Sequence, residues 1–253
     1  MRFRIIVQGM PLFTYLKGMP VFLKEYGKIR RQASASRESF PFGKFFPCIQ
    51  EKDQESGVIA EHYFYQDLYV ARKVFQNNPV RHVDIGSRID GFVAHVATFR
   101  EIEVLDVRDL HLGIPNIRFT RANLASKDFS LIDYCDSLSC LHSLEHFGLG
   151  RYGDPVNYDG HLVGWEHMFR MLKKGGKFYF SVPIGDQRIE FNAHRIFSVS
   201  YLLGLMEKRY DIDSFAYIND VQEFIADAVF DEAAIRENFG CRYGCGIFEM
   251  TKR

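Results

Sequence analysis

The chain has 253 residues, enough for one large domain or for one domain with an extension. Its 32 Lys and Arg residues balance its 32 Asp and Glu residues, which argues against a nucleic-acid binder, because such proteins carry a basic excess. Hydrophobic residues make up 47% of the chain, as in ordinary globular domains, and no segment supplies the roughly 20 apolar residues of a membrane span. Aromatic residues reach 15%, so we expect rings to line a binding site as well as to fill the core.

The cysteines and the N-terminus predict a cytoplasmic protein. The five cysteines are odd in number, and neither close pair has the two-residue gap of a zinc or redox motif. Reduced and mostly buried thiols are therefore expected. Arg2 and Arg4 precede a short apolar run, but Gln8 ends it within a few residues, so no signal peptide is expected.

Two regions are predicted, an N-terminal extension or lid over residues 1–56 and a main domain over residues 57–253. Four prolines and a Ser-rich stretch punctuate the first region, which has one helical pattern over residues 21–31. The main domain opens with a predicted helix over residues 61–76, which places Leu68, Ala71 and Phe75 on one face before Pro79.

Strand and helix patterns then alternate along the main domain. Strands are predicted at residues 81–86, 102–106, 116–120, 136–141 and 177–183, and helices at 91–99 and 161–172. A helix at 199–207 and two strands in succession, 213–218 and 246–250, complete the chain. This order predicts an α/β fold of the Rossmann-like kind, with a mostly parallel sheet, a late antiparallel strand and helices on both faces.

The turn after the first strand is typical of a nucleoside site. Gly86 and Gly91 allow tight turning and close approach of a ligand, and Asp106 ends the second strand, where a carboxylate can accept hydrogen bonds from both ribose hydroxyls. Two glycines do not complete the G-x-G-x-x-G pattern of a dinucleotide site. Asp84, just before the turn, suits a ligand with an ammonium group, which favours S-adenosylmethionine.

The motif order resembles that of class I S-adenosylmethionine-dependent methyltransferases. The resemblance covers residues 61–253 and is carried by the segments at 83–87, 104–106, 141–146 and 172–183, with Leu-Glu-His after the fourth strand and Lys-Lys-Gly-Gly before the fifth as its most specific pair. Residues 140–155 resemble more closely a bacterial subfamily associated with capsule, O-antigen and related surface polysaccharides. Arg88 and Asp90 depart from the family pattern, which has small residues in this turn.

This resemblance implies a set of cofactor contacts. Asp84, Gly86, Ser87 and Gly91 would lie at the methionine end, and Asp106 would hold the ribose. The remaining contacts would come from residues beside the adenine and from the end of the fourth strand: Val107, Arg108, Asn123, Leu124, Leu141 and His142. It also implies a sugar hydroxyl as methyl acceptor, on a small sugar or a nucleotide-activated sugar.

A hydroxyl acceptor must lose its proton as the new bond forms, so a general base is expected. His142, Glu145 and His146 follow the fourth strand at spacings that share one face of a helix. Either histidine is a candidate base with Glu145 as its orienter, although histidines at a helix start also commonly satisfy loop groups. No metal is expected, since carboxylate ligands are scarce nearby; a divalent metal on the same three residues is the less favoured alternative.

Further candidate site residues lie in loops. His194 is a second catalytic candidate, and Arg195 is a substrate-binding candidate, with a loop ion pair as the competing interpretation. The glycine-rich loop at 148–155 presents Arg151, Tyr152 and Asp154 to a polyhydroxylated ligand, and Tyr65 is a candidate in the helix before the first strand. A homodimer is one open option for the oligomeric state.

Two other classes of function stay open on the sequence. A nicotinamide-dependent sugar oxidoreductase shares the alternating sheet but is disfavoured by the glycine spacing. A non-catalytic nucleoside-binding protein would share the fold without the chemistry.

Overall fold

The structure is a computed structural model that describes residues 12–38, 40–45, 47–48, 61–110, 113–126 and 128–253. The chain divides into two compact units, residues 1–59 and 60–253. In the first unit, helix α1 spans Leu12–Ala35 and is longer than the predicted helix at 21–31. The ring of Tyr26 lies 4.6 Å from that of Phe45 and 5.6 Å from that of Phe42. The role of residues 1–56 as an extension or lid stays a prediction.

The second unit is built on an eight-stranded sheet with the order β3-β2-β1-β4-β5-β10-β8-β9. Its strands are β1 (His82–Ile85), β2 (Ile102–Asp106), β3 (Ile117–Arg121), β4 (Cys135–Leu141), β5 (Leu172–Ile184), β8 (Tyr210–Ile218), β9 (Phe224–Ile225) and β10 (Gly244–Lys252). Strands β1 to β5 pair in parallel, whereas β10 pairs antiparallel with both β5 and β8. The predicted mostly parallel sheet with a late antiparallel strand is confirmed.

The strand order reverses beside β1, which pairs with β2 on one side and with β4 on the other. All four residues of β1 are buried, and β4 is buried along nearly its whole length. Such continuous burial is expected of central strands in a parallel sheet, because helices cover both faces. The carboxyl ends of these two strands therefore border the crevice in which α/β sheets bind ligands.

Helices cover both faces of the sheet. On one face, α2 (Glu61–Asn77), the π-helical turn Ile89–Val93 and α3 (Ala94–Ala97) pack over β1, β2 and β10. On the other face, α4 (Gly160–Met171) and α5 (Val199–Met206) enclose an aromatic core in which the Trp165 ring lies 5.1 Å from that of Phe180 and 5.6 Å from that of Tyr210. The short helix α6 spans Glu232–Arg236, and a separate hairpin joins β6 (Arg188–Glu190) to β7 (His194–Ile196).

Helix α2 lies where the sequence predicts it, but its buried face is different. Leu68 and Phe75 are exposed, and the buried stripe contains Val70 and Val74. Towards the N-terminus this stripe continues through polar side chains, namely His62, Gln66 and Asp67. A hydrophobic pattern could not indicate this face, because half of it is polar.

Within the described residues, no helix combines the length and apolar character needed to cross a bilayer. All five cysteines are free thiols, and four of them are buried.

Candidate active site

A cavity of about 450 Å³ opens at the carboxyl ends of β1, β2 and β4. Its volume lies in the usual range for small-molecule sites. The predicted site residues that line it are Gly86, Ser87, Asp106, Val107, Arg108, Asn123, Leu124, Leu141, His142, His146, Tyr152 and Asp154. Residues from distant parts of the chain are therefore brought together where the fold predicts a ligand.

The turn after β1 forms one wall of this cavity. Gly86 has φ +68°, and its N–H donates to the carbonyl of Leu105 at 3.0 Å. A Cβ atom at this position would lie 2.5 Å from Ser143 Oγ and 3.8 Å from Asp106 Oδ2. Glycine is required here both for the positive φ and for the space between these two side chains.

Asp84 lies beneath the turn and does not line the cavity. It is fully buried, and its carboxylate accepts hydrogen bonds from Ser87 N at 2.9 Å, Ser87 Oγ at 2.7 Å and Ser139 Oγ at 2.5 Å. Burial raises the pKa of Asp84 to about 6. With its oxygens occupied in this way, Asp84 holds the turn in place and does not present a free carboxylate to an ammonium group.

The hydrogen bonds continue from Asp84 across the sheet. Because Ser139 Oγ donates to Asp84, it accepts from His82 Nε2 at 3.2 Å. His82 Nδ1 then accepts from Ser137 Oγ at 2.8 Å, so the network selects the Nε2–H tautomer of His82. Burial lowers the pKa of His82 to about 3, which keeps this imidazole neutral.

Asp106, at the end of β2, points into the cavity and is paired with Arg108. The guanidinium donates through Nη2 to Oδ2 at 2.7 Å and through Nε to Oδ1 at 3.0 Å. The guanidinium carbon also lies 4.5 Å from the centre of the Tyr152 ring. The Arg108 side chain is 54% exposed, so it can move aside when a ligand needs the carboxylate.

Asn123 and Leu124 form the far wall of the cavity beyond β3. Asn123 Oδ1 accepts from Ala125 N at 2.9 Å, and the Leu124 carbonyl lies 2.8 Å from His167 Nδ1. Both residues are thus fixed in positions that suit contact with a flat base.

No regular helix begins after β4. His142 has φ +49°, and only a three-residue 3₁₀ turn follows, at Leu144–His146. The turn still brings His142 Nδ1 to 2.9 Å from Glu145 Oε1. Burial opposes both charges, but the contact lowers the pKa of Glu145, and Cys245 together with Glu145 raises that of His142 well above 6.5.

His146 has a different environment from His142. Its Nδ1 donates to the carbonyl of Ala193 at 2.7 Å, which leaves Nε2 as the acceptor of the ring. Burial lowers the pKa of His146 below 6.5 even though Nε2 lies 3.8 Å from Glu145 Oε1. At neutral pH this histidine is uncharged and lines the cavity, as a general base requires.

The glycine-rich loop contributes mainly a ring to the site. Tyr152 packs edge-on to His146, with ring centres 5.3 Å apart. Asp154 lines the cavity, but its Oδ2 accepts a hydrogen bond from Gly148 N at 2.7 Å, which stabilises the glycine-rich loop. Arg151 donates to the Ala193 carbonyl at 2.9 Å and does not line the cavity.

Five other predicted site residues also lie outside the cavity, and one of them is the buried Glu145. A Cβ at Gly91 would meet Asp67 Oδ2 at 2.2 Å, so this glycine makes room for a buried carboxylate. Tyr65 stacks on Phe224 at 5.9 Å. His194 Nε2 lies 3.3 Å from Glu190 Oε2. Arg195 is buried and donates to the carbonyls of Phe147 at 2.6 Å and Tyr158 at 2.9 Å, so its cation stabilises the loop instead of facing a substrate.

The cavity is also lined by Tyr63, Arg88 and Ser143, which are not among the predicted site residues. Arg88 lies 5.0 Å above the ring of Tyr63 and pairs with Asp90 at 2.8 Å. The aromatic stretch at the start of α2 was the available signal for Tyr63.

Solved structures share this fold at low sequence identity. N-methyltransferase NodS from Bradyrhizobium japonicum, solved with S-adenosyl-L-homocysteine, matches at 10% identity over 76% of this chain and 89% of that chain, with a TM-score of 0.51. The YcgJ protein of Bacillus subtilis matches at 15% identity over 75% and 98% of the two chains, with a TM-score of 0.50. The [4+2]-cyclase SpnF matches at 14% identity over 74% and 80%, with a TM-score of 0.53. The fold is therefore the Rossmann-like fold of class I methyltransferases.

A family model assigns the chain more narrowly. The chain belongs to the family described as "Caenorhabditis protein of unknown function, DUF268", whose model matches residues 98–228, just over half of the chain. The matched region includes Asp106, the end of β4 and the glycine-rich loop. No curated protein matches the chain in sequence.

Proposed function

We propose that this protein is an S-adenosylmethionine-dependent methyltransferase that methylates a hydroxyl group of a sugar. The observation that carries the proposal is the placement of Gly86 and Asp106 on one cavity at the point where strand order reverses. That placement matches the way nucleosides bind in such sheets, with a carboxylate for the ribose hydroxyls. The likeness of the fold to NodS, which was solved with S-adenosyl-L-homocysteine, supports the same cofactor.

The residues present fit this cofactor. Gly86 leaves space beside Asp106 that any side chain would fill, and Asn123 and Leu124 offer a wall for the adenine. Ser87 would lie at the methionine end, with Asp84 holding the turn from below. S-adenosylmethionine supplies an electrophilic methyl group on a sulfonium.

The protein's own part in the reaction is alignment, exclusion of water and removal of one proton. Leu141 and His142, at the end of β4, border the cavity beside the turn. The bound cofactor would supply its methyl group to the acceptor oxygen, and its sulfur would keep the electron pair of the broken carbon–sulfur bond. His146 Nε2 takes the hydroxyl proton, because its Nδ1–H is held by Ala193 O at 2.7 Å.

A sugar acceptor is supported by the resemblance of residues 140–155 and by the ring of Tyr152 at the cavity. Aromatic rings stack on the apolar faces of sugars, and a neutral sugar needs no basic surface. Nucleotide-activated sugars of surface polysaccharides are the acceptors that we would test first.

The test has two stages with the full chain. Calorimetry with S-adenosylhomocysteine and, separately, with NADH is expected to show binding of the former alone; the reverse result would favour the oxidoreductase alternative. Methyl transfer from labelled S-adenosylmethionine is then measured against a panel of sugars and nucleotide sugars. Binding with no transfer to any acceptor, with or without an added divalent metal, would favour a non-catalytic nucleoside-binding protein.

A further inference from the structure

Three buried side chains with metal-binding chemistry meet behind the wall of the cavity. His62 lies on α2, His142 at the end of β4 and Cys245 on β10. One ring nitrogen of each histidine and the sulfur of the cysteine all lie within 4.8 Å of one another. Exposed fractions are 4%, 8% and 0%, respectively, so solvent does not compete for these atoms.

The rings of His62 and His142 stack with their centres 5.6 Å apart, but this packing leaves polar atoms of the cluster without partners. The Nε2 atoms of His62 and His142 are both buried without a hydrogen-bond partner, which is costly in a folded protein. Cys245 Sγ lies 3.7 Å from Gln66 Oε1, and its other polar neighbour is His142, a second member of the cluster. Two unpartnered imidazole nitrogens beside a thiol are the donor set that a soft divalent metal prefers.

The surroundings of His142 orient it as a metal ligand. Its Nδ1 donates to Glu145 Oε1 at 2.9 Å, so Nε2 is the nitrogen that points away from Glu145 and that can bind a metal once it has given up its proton. A carboxylate behind a histidine is the usual outer partner of a metal-bound imidazole, because it fixes the tautomer and the ring orientation. The rings of Tyr63 and Tyr243 lie 5.2 Å from His142 and 5.7 Å from His62, respectively, and enclose the cluster.

We propose that His62, His142 and Cys245 bind one Zn²⁺ ion. Zn–N bonds of about 2.0–2.1 Å and a Zn–S bond of about 2.3 Å place tetrahedral ligand atoms roughly 3.3–3.6 Å apart. The ligand atoms lie up to 4.8 Å apart, and small side-chain rotations would shorten these separations to the tetrahedral values. Cys245 binds as the thiolate and His142 as the neutral imidazole, so the protons that they lose pass to solvent.

Three protein ligands leave a fourth position open, as in catalytic zinc sites. His142 also lines the cavity, so the ion would lie beside the space assigned to the acceptor. The proposal departs from the sequence-based expectation of a metal-free site. That expectation considered His142, Glu145 and His146 together, whereas the structure joins His142 to residues near the two ends of the main domain.

The test uses the metal-stripped full chain carrying Cys48→Ser, because Cys48 is an exposed thiol that could bind metal by itself. Titration with Co²⁺ is expected to reach one equivalent and to produce a thiolate-to-cobalt charge-transfer band, and Zn²⁺ should displace the Co²⁺. Absence of that band at one equivalent of Co²⁺ would overturn the proposal. This test needs no substitution of a cluster residue.

Variants then assign the ligands. Cys245→Ser should abolish the charge-transfer band, and Cys245→Ser, His62→Ala and His142→Ala should each lower Zn²⁺ affinity at least about 100-fold, while Glu145→Gln should lower it about 10- to 100-fold. Matched controls are Cys241→Ser and His161→Ala, which replace a buried thiol and a buried imidazole outside the cluster, and both should bind as the parent does. A Cys245→Ser variant with the parent's affinity would refute the site.

Discussion

Arg108 holds both carboxylate oxygens of Asp106, with nitrogen–oxygen distances of 2.7 and 3.0 Å. This ion pair occupies the carboxylate that the proposed cofactor needs for its ribose. Arg108 must therefore release Asp106 before the cofactor binds, and the energy of the pair is subtracted from the binding energy.

The first prediction concerns this competition. Asp106→Ala should weaken S-adenosylhomocysteine binding at least about tenfold, because hydrogen bonds to a charged carboxylate are lost. Arg108→Ala should strengthen it up to about fivefold, since an exposed ion pair of this kind is worth about 0.2–1 kcal/mol. Calorimetry measures both, and Arg253→Ala, which breaks an exposed pair with Asp211 at 2.8 Å, is the control. Weaker binding in Arg108→Ala would show that Arg108 contacts the cofactor directly.

The second prediction concerns the general base. His146→Ala should lower kcat about 10²- to 10⁴-fold and leave S-adenosylhomocysteine binding nearly unchanged, whereas the exposed His95→Ala should alter neither. Because burial lowers the pKa of His146, wild-type activity should be constant at neutral pH and should fall only as the pH drops below 6.5. The charged or titratable groups around this ring are Glu145, Arg151, His142, Tyr152 and His194. Full activity in His146→Ala would assign the base elsewhere.

A third prediction distinguishes two reasons for glycine at position 86, the lack of room for a side chain and the positive φ of the backbone. Gly86 and Gly153 have similar positive φ values, +68° and +82°, but only a Cβ at Gly86 meets a neighbour, Ser143 Oγ at 2.5 Å. Gly153→Ala should cost roughly 1–2 kcal/mol of stability from the backbone alone. Gly86→Ala should cost more and should also weaken S-adenosylhomocysteine binding at least about tenfold. Thermal unfolding and calorimetry measure the two effects, and equal behaviour of the variants would contradict the close packing at Gly86.

The fourth prediction concerns acid stability. Burial lowers the pKa of His82 from 6.5 to about 3, so the unfolded chain binds more protons than the folded one between these values. The contribution of His82 to the free energy of unfolding is therefore fully present above pH 6.5 and is lost as the pH falls towards 3. Asp84, with its pKa raised to about 6, acts in the opposite direction above its ordinary value of 3.8.

Substitution of His82 isolates its part in this balance. Urea unfolding of His82→Gln should show a smaller loss of stability between pH 6.5 and 4 than the wild type, although the variant is less stable at pH 7. The exposed His95→Gln should follow the wild type. A pH dependence in His82→Gln equal to that of the wild type would mean that His82 does not titrate as its burial requires.

The fold and half of the site could be predicted because their signals are local. Gly86 and Asp106 each directly follow or end a strand with a clear apolar pattern, and parallel strands bring such ends together. The roles of Asp84 and Arg195 depend on partners far away in the chain, Ser139 and Tyr158. No spacing rule contains those contacts, so the sequence predicts ligand contacts for two residues that hold loops instead.

The start of α2 is a second region in which long-range contacts, absent from any local pattern, decide which residues are buried. His62, Gln66 and Asp67 are buried on a face that a hydrophobic pattern assigns to solvent. Their burial follows from what they meet, including Cys245 on the last strand and Ser181 on β5. Polar side chains at helical spacing can be recognised as the buried face of a helix only when those partners are known.

The hydrogen-bonded line from Ser137 through His82 and Ser139 to Asp84 has a fixed direction, because its first three members each have one proton to donate and Asp84 only accepts. Ser139 stands in the middle and both accepts and donates. Ser139→Ala would leave an imidazole N–H and a carboxylate oxygen without this partner, whereas Ser137→Ala would leave only one acceptor. The two neighbouring serines of one strand are thus unequal: position 139 tolerates only a hydroxyl, while position 137 needs only a donor.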